Sequence, residues 1–230
     1  MFTSVYERAK IHDPKLVAAY ETCRRMLYRA DTLDVTLLRM VPPALRPAIY
    51  ALGAGARVVD DLADTGSDCP DERAARVDAW TTAFDQELRL GTSDDPVRRA
   101  LIHTVLTWDL SGADFLVMAA EMRQDARGRT LATWQQWSDY SRAVNKSFLV
   151  QCGLLATRAG QASAFRTRDL EAVEPWLEAL FLVDNLFDLS EDITNRRVLL
   201  PSESLERFGV APQDLVARRW TPAMESLIDT

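Results

Sequence analysis

Two acidic patterns are the residues best placed to do chemistry: Asp60-Asp61-Leu62-Ala63-Asp64 and Asp188-Leu189-Ser190-Glu191-Asp192. Each sets carboxylates at i and i+4, one turn apart on one face of a helix. Each follows an apolar run, Ile49 to Val59 for the first and Trp176 to Val183 for the second. Like charges at that spacing weaken an isolated helix by about 0.2–0.5 kcal/mol per pair. Desolvating them costs far more unless a cation is present. Mg²⁺ suits the pattern, because it takes one or two carboxylates per ion and fills its octahedron with water and phosphate oxygens. Two such helices face to face would grip a diphosphate through several Mg²⁺ ions. The expected metal ligands are Asp60, Asp61, Asp64, Asp188 and Asp192, with Asp60, Asp64, Asp188 and Asp192 as the catalytic set. Asp184 extends the second ladder by a turn, as a further ligand or as a partner for a basic side chain. Glu191 reads as a surface or supporting group. The plainer alternative, a solvated charged turn, is disfavoured by the apolar runs and by the presence of a second copy.

The elements that must position these groups read as helices nearly throughout. Apolar residues recur at three and four, as in Leu16, Ala19, Tyr20, Cys23, Met26 and Leu27. The 9 glycines and 10 prolines act as punctuation, and alternating β-branched runs are missing. Asp13 caps a first helix with Pro14 in its first turn. Asp31 or Thr32 starts a short second helix ending at Pro42-Pro43. Residues 44 to about 64 form the helix of the first acidic motif. Further helices are expected over roughly 72–90, 96–109, 112–126 and 131–159. Residues 169–194 carry the second motif, a short helix lies near 202–207, and a last one runs from Pro212. No repeat period or linker divides the 230 residues, so one helical domain is expected.

Bulk properties narrow the function. A net charge of −7 leaves no basic stripe to neutralise nucleic-acid phosphates, so nucleic acid is excluded as a partner. The three cysteines are scattered and the two histidines stand alone, so no zinc site is expected. A reducing cytoplasm, no leader peptide and no transmembrane segment are expected. Peripheral contact with a membrane, to reach a greasy substrate, stays open, as does the oligomeric state.

A family resemblance rests on these stretches. Arg46-Pro47-Ala48-Ile49-Tyr50-Ala51-Leu52 with Arg57-Val58-Val59-Asp60-Asp61-Leu62-Ala63-Asp64 resembles the first aspartate-rich helix of squalene and phytoene synthases, and Leu38 to Pro42 resembles their lead-in. Met122-Arg123-Gln124-Asp125 and Trp137-Ser138-Asp139-Tyr140 resemble their central helices. Asp188 to Asp192, then Arg197-Val198-Leu199-Leu200-Pro201, Leu205 and Phe208-Gly209-Val210, resembles their second motif and its exit. The resemblance implies an all-α isoprenoid-synthase bundle around a central cavity, shortened at the C-terminus. It also implies Mg²⁺-assisted ionisation of an allylic prenyl diphosphate, C15 or C20 with farnesyl favoured. Diphosphate departs readily only when its growing charge is met by metal and by arginine forks. Arg57 and Arg197 match family positions for that task, and Lys146 is a further candidate.

The departures from the family set the leading expectation. Gly53-Ala54-Gly55 stands where the family has aromatic residues, which would widen the cavity at Gly53. Phe181, Asp184 and Phe187 replace Gln, Asn and Arg ahead of the second motif, and Arg142 to Phe148 replaces a glycine-bearing segment. With Tyr140, residues 53, 181, 184 and 187 are the expected cavity lining. These changes fall where a second prenyl diphosphate would be handled. They favour one prenyl donor and a small-molecule, non-prenyl acceptor, indole-like or otherwise aromatic, as in some bacterial secondary-metabolic relatives of phytoene synthase. The alternatives are head-to-head joining of two prenyl diphosphates, a class I terpene cyclase, and a catalytically degenerate partner subunit. Intact acidic motifs argue against the last.

Overall fold

The computed structural model describes residues 4–30, 38–65, 69–161, 167–194 and 197–229. The named elements are all helices: α1 Val5–Arg8, α2 Pro14–Ala30, α3 Arg46–Asp64, α4 Pro70–Leu90, α5 Pro96–Thr107, α6 Gly112–Asp125, α7 Trp134–Arg158, α8 Thr167–Thr194, α9 Ser202–Phe208, α10 Pro212–Val216 and α11 Pro222–Ile228. The short helix expected from residue 31 or 32 falls on residues outside this description. No helix among the described residues is long and apolar enough to cross a membrane.

Local chemistry explains the helix starts. Asp13 Oδ1 accepts from the backbone N–H of Lys15 at 2.6 Å and of Leu16 at 3.1 Å. It satisfies two donors that the first turn leaves without partners. Asp95 does the same for Arg98 N–H at 2.8 Å, just ahead of Pro96. Gly91, at φ 78°, ends α4 in a left-handed turn that side chains disfavour. The single last helix expected from Pro212 is two helices. Arg218 turns left-handed at φ 52°. Pro222 then opens a new helix, whose Thr221 cap accepts from Met224 N–H at 3.3 Å. A proline has no N–H to continue the earlier hydrogen-bond ladder.

Helix α3 lies at the centre of the first half, packed against α2, α4, α5 and α6. Its buried face is small: Ala51, Ala54, Val59 and Ala63 are at most 1% exposed. Small side chains let the neighbouring helices approach. At Gly55 a Cβ would lie 2.9 Å from Leu101 Cδ2 and 3.1 Å from Phe115 Cε2. The missing side chain at Gly55 is thus filled by the core, and this glycine serves close helix packing. Gly55→Val is expected to overpack this contact and to cost about 1–3 kcal/mol in a denaturant titration.

Helix α8 packs on α7 and on α10. Its Leu182, Leu186, Leu189 and Ile193 meet Leu200, Leu205, Leu215 and Met224 in a second apolar cluster. The segment leaving α8 is tied down at several points. Thr130 and Val198 form a parallel bridge, Ser202 N–H donates to Leu131 O at 2.9 Å, and Trp134 N–H donates to Glu203 Oε1 at 2.6 Å. These bonds fix the backbone that carries Arg197. Helices α3 and α8 both line one cleft.

Candidate active site

The cleft has a volume of about 740 Å³ and is lined by Asp60 from α3, by Asp184, Asn185, Asp188 and Asp192 from α8, and by Arg197 beyond it. Asp125 and Tyr140 form its inner polar wall, and Phe181, Phe187 and Leu199 contribute apolar surface. Two motifs 128 positions apart, Asp60 and Asp188, thus meet at one site.

Arg197 joins the two motifs. Its Nη1 and Nη2 donate to Asp64 Oδ1 and Oδ2 at 2.5 and 3.0 Å, a bidentate fork. Nη2 also reaches Asp192 Oδ1 at 2.5 Å and Nε reaches the same oxygen at 3.1 Å. The side chains of Arg197, Asp64 and Asp192 are only 9%, 12% and 3% exposed. Burial alone would lower the guanidinium's pKa, but the two carboxylates outweigh it and raise it. Burial pushes the Asp192 carboxyl up, against the pull of Arg197.

Asp60 is held by no such fork; its ion pair is with Arg57 Nη1, at 3.6 Å. Burial, and next the charge of Asp64, push its carboxyl up to about 7, while Arg57 and Arg197 hold it back only in part. Asp61 turns to the outer side of α3, where Arg57 Nε donates to it at 2.9 Å, and Arg57 Nη1 lies 3.6 Å from Asp60. Arg57 and Asp61 are each nearly half exposed and neither lines the cleft. The structure therefore separates Asp61 from the other expected ligands, because adjacent residues on a helix point about 100° apart. Lys146 lies on α7, but its side chain, like that of Glu191, is outside the described residues.

The inner wall is a compact hydrogen-bonded group. Tyr140 Oη donates to Asp125 Oδ2 at 2.7 Å, Arg129 Nε also reaches Asp125, and the Arg129 guanidinium sits 4.4 Å over the Tyr140 ring. Burial raises the Asp125 carboxyl and raises the Tyr140 phenol well above its ordinary value. Phe181 packs against Tyr140 and Trp137, with ring centroids 5.5 and 5.8 Å apart. Phe187 is 82% exposed at the rim.

The single cavity expected for Gly53 together with Tyr140, Phe181, Asp184 and Phe187 is two pockets. Gly53 lines a separate apolar one of about 500 Å³, with Leu27, Leu38, Leu45, Ile49, Phe148 and Cys152 among its walls. Gly53 and Asp60 lie on one face of α3, about 10 Å apart along its axis. Sequence reasoning passed over Asn185, which is buried and lines the acidic cleft. Its spacing from Asp188 and Asp192, three and seven residues, is the signal that places it on their face.

The donor set can be tested against Mg²⁺. The groups facing the cleft from α3 and α8 are carboxylates and an amide, hard oxygen donors of the kind that ion prefers. Among the described residues no three His, Cys, Asp or Glu side chains form a ready cage. An ion would rest on one or two carboxylates and complete its shell with water and ligand oxygens, as Mg²⁺ does and a caged Zn²⁺ does not. The residues present fit the ion in chemistry.

The chain is similar to several known proteins. The chain is 30% identical over 223 residues to 15-cis-phytoene synthase of Synechocystis sp., covering 92% of this chain and 65% of that protein. It is 27% identical over 197 residues to presqualene diphosphate synthase of Zymomonas mobilis, covering 83% and 62%. The chain thus spans less than two thirds of the length of these relatives. The crystal structure of squalene synthase HpnC from Alicyclobacillus acidocaldarius superimposes with a TM-score of 0.74 at 28% identity, over 96% of this chain and 81% of that one. A dehydrosqualene synthase shares the same isoprenoid-synthase fold, at a TM-score of 0.75 and 21% identity over 98% and 74%. The family model described as squalene/phytoene synthase matches residues 35–230, so both acidic helices and the Arg197 segment lie inside it, and the chain belongs to the squalene/phytoene synthase family.

Proposed function

We propose that this chain is a prenyltransferase that joins two allylic prenyl diphosphates head to head, using the cleft between α3 and α8. The observation that carries this is the meeting of Asp60 with Asp188 and Asp192 at one cleft. The names of the relatives, phytoene and presqualene diphosphate synthases, support the same reaction class. The non-prenyl acceptor expected from the departures loses its physical basis. Gly53 lines an apolar pocket apart from the acidic cleft, and Phe181 is packed on Trp137 and Tyr140, so neither substitution opens room for an acceptor beside the acidic groups.

In this reading Asp60, Asp64, Asp188 and Asp192 hold Mg²⁺, which when bound neutralises the charge that develops on the departing diphosphate. The C1–O bond of the first substrate breaks, and the diphosphate leaves with the electron pair. Arg197, freed from part of its contact with Asp64 and Asp192, turns its fork to the diphosphate oxygens. The double bond of the second substrate attacks the C1 cation, a carbon–carbon bond forms, and a proton leaves to the released diphosphate. Phe181, Leu199 and Met122 keep water from the cation. Tyr140, fixed by Asp125 and Arg129, presents a rigid polar edge to the reacting carbons.

The apolar pocket at Gly53 is suited to a prenyl tail. A Cβ at residue 53 would meet the Leu27 side chain, whose terminal methyls lie at 3.1 Å and can shift. Gly53→Leu is expected to fold, to shorten that pocket, and to lower kcat/KM for C20 relative to C15 diphosphate by about tenfold or more. The function itself is tested by mass spectrometry of products formed from farnesyl or geranylgeranyl diphosphate with Mg²⁺, with and without indole acceptors. A C30 or C40 product independent of acceptor is expected; an acceptor adduct would return the leading reading to a single prenyl donor.

A further inference from the structure

Asn185 lies on the stripe Phe181–Asn185–Asp188–Asp192 of α8, with spacings of four, three and four that keep one helical face turned to the cleft. The residue is 5% exposed and lines the cleft with Asp188, Asp192 and Arg197. Its amide Nδ2 has no hydrogen-bond partner among the described residues. A buried donor without an acceptor destabilises a fold, and native proteins retain few of them. A leucine would fill the same branched shape without that cost. The neighbouring carboxylates do not relieve it, and Asp192 is engaged with Arg197. The acceptor that Asn185 lacks is therefore one that enters the cleft.

We propose that Asn185 is a substrate-binding residue whose Nδ2–H donates to an oxygen of the bound diphosphate beside Asp188 and Asp192. This rests on the reading of the cleft as a prenyl-diphosphate site. An amide suits the position better than an arginine or lysine would. It offers a donor to phosphate but carries no charge with which to pair off the carboxylates that a cation needs.

The test is isothermal titration of inorganic diphosphate, with Mg²⁺ present, into the wild-type chain, Asn185→Leu and Asn185→Asp, with the melting temperature of each. Asn185→Leu is expected to bind diphosphate about ten- to a hundredfold more weakly, the size of one hydrogen bond to a charged acceptor. Its melting temperature should be equal or higher, because the orphaned donor is gone. Asn185→Asp keeps the shape, replaces the donor by a charged acceptor, and should bind more weakly still. Wild-type binding matched within twofold by Asn185→Leu, with a lowered melting temperature, overturns the proposal and leaves the proposed function standing. Should the leucine variant not fold, unchanged affinity in Asn185→Asp overturns it equally. No diphosphate binding by the wild-type chain removes both readings.

Discussion

Arg197→Ala is expected to be the most destabilising single change in the cleft, at about 3–5 kcal/mol. Arg197 holds Asp64 and Asp192 from two different helices, and all three groups are nearly buried. Removing it leaves two carboxylates facing each other without a counter-charge. Breaking a buried pair by deleting one partner costs more than the pair contributes, because the remaining charge is still desolvated. For a chain of this size the melting temperature should fall by on the order of 10 °C. Arg197→Lys should recover only part of this, because an ammonium cannot reproduce the fork at 2.5 and 3.0 Å to Asp64. Added Mg²⁺ should raise the melting temperature of the alanine variant more than that of the wild type, since the ion takes over the role of counter-charge. Thermal melts with Mg²⁺ and with a chelator measure all of this. A drop of about 2 °C or less in Arg197→Ala, on the order of 1 kcal/mol, would show that the two motifs are held together by something else.

Asp60→Asn and Asp188→Asn should each lower kcat by about 10²–10³-fold, the loss typical of removing one group that stabilises developing charge. Stability should move the other way for Asp60. In the metal-free protein its carboxyl is held up at about 7, by burial and then by Asp64, against an ordinary value of 3.8. A group raised on folding contributes stability at low pH that is lost as the pH rises from about 4 through 7. Asp60→Asn removes that loss, so its melting temperature in chelator should exceed that of the wild type at pH 7.5 and approach it at pH 4. Asp61→Asn serves as the contrast. Asp61 faces Arg57 on the outer side of α3, at 2.9 Å and nearly half exposed. Its loss should lower kcat by less than about tenfold, the scale of an outer charge rather than of a group that touches the developing diphosphate. Steady-state rates together with melts over pH separate the three variants.

The acidic helices were legible because their signal is local. Carboxylates at i and i+4 inside an apolar run need no knowledge of the rest of the chain, and the cap at Asp13 is equally local. What the sequence could not display is what each side chain meets. Arg197 reaches Asp64 across 133 positions, and the bonds that tie the α8 exit to Thr130, Leu131, Ala132 and Trp134 help to place it. Gly53 and Gly55 look alike as text, yet two positions on a helix differ by about 200° in direction. One opens to an apolar pocket and the other is filled by Leu101 and Phe115. Phe181 read as a lost polar group near the second substrate; in the fold it lines the cleft and packs, tilted, against Trp137 and Tyr140. The break between α10 and α11 was hidden by Arg218, a residue whose left-handed backbone has no compositional mark, although Thr221 and Pro222 together are a helix-start signal.

The central claim is that each product contains two prenyl units joined in the cleft of Asp60, Asp188 and Asp192. It is tested most directly by supplying an equal mixture of ordinary and deuterated farnesyl diphosphate with Mg²⁺ and resolving the product masses. Head-to-head joining predicts three isotopologues, the mixed one most abundant, all formed far more slowly by Asp60→Asn and Asp188→Asn. Two isotopologues, each with a single prenyl unit, would contradict the account and return the chain to acceptor prenylation or cyclisation.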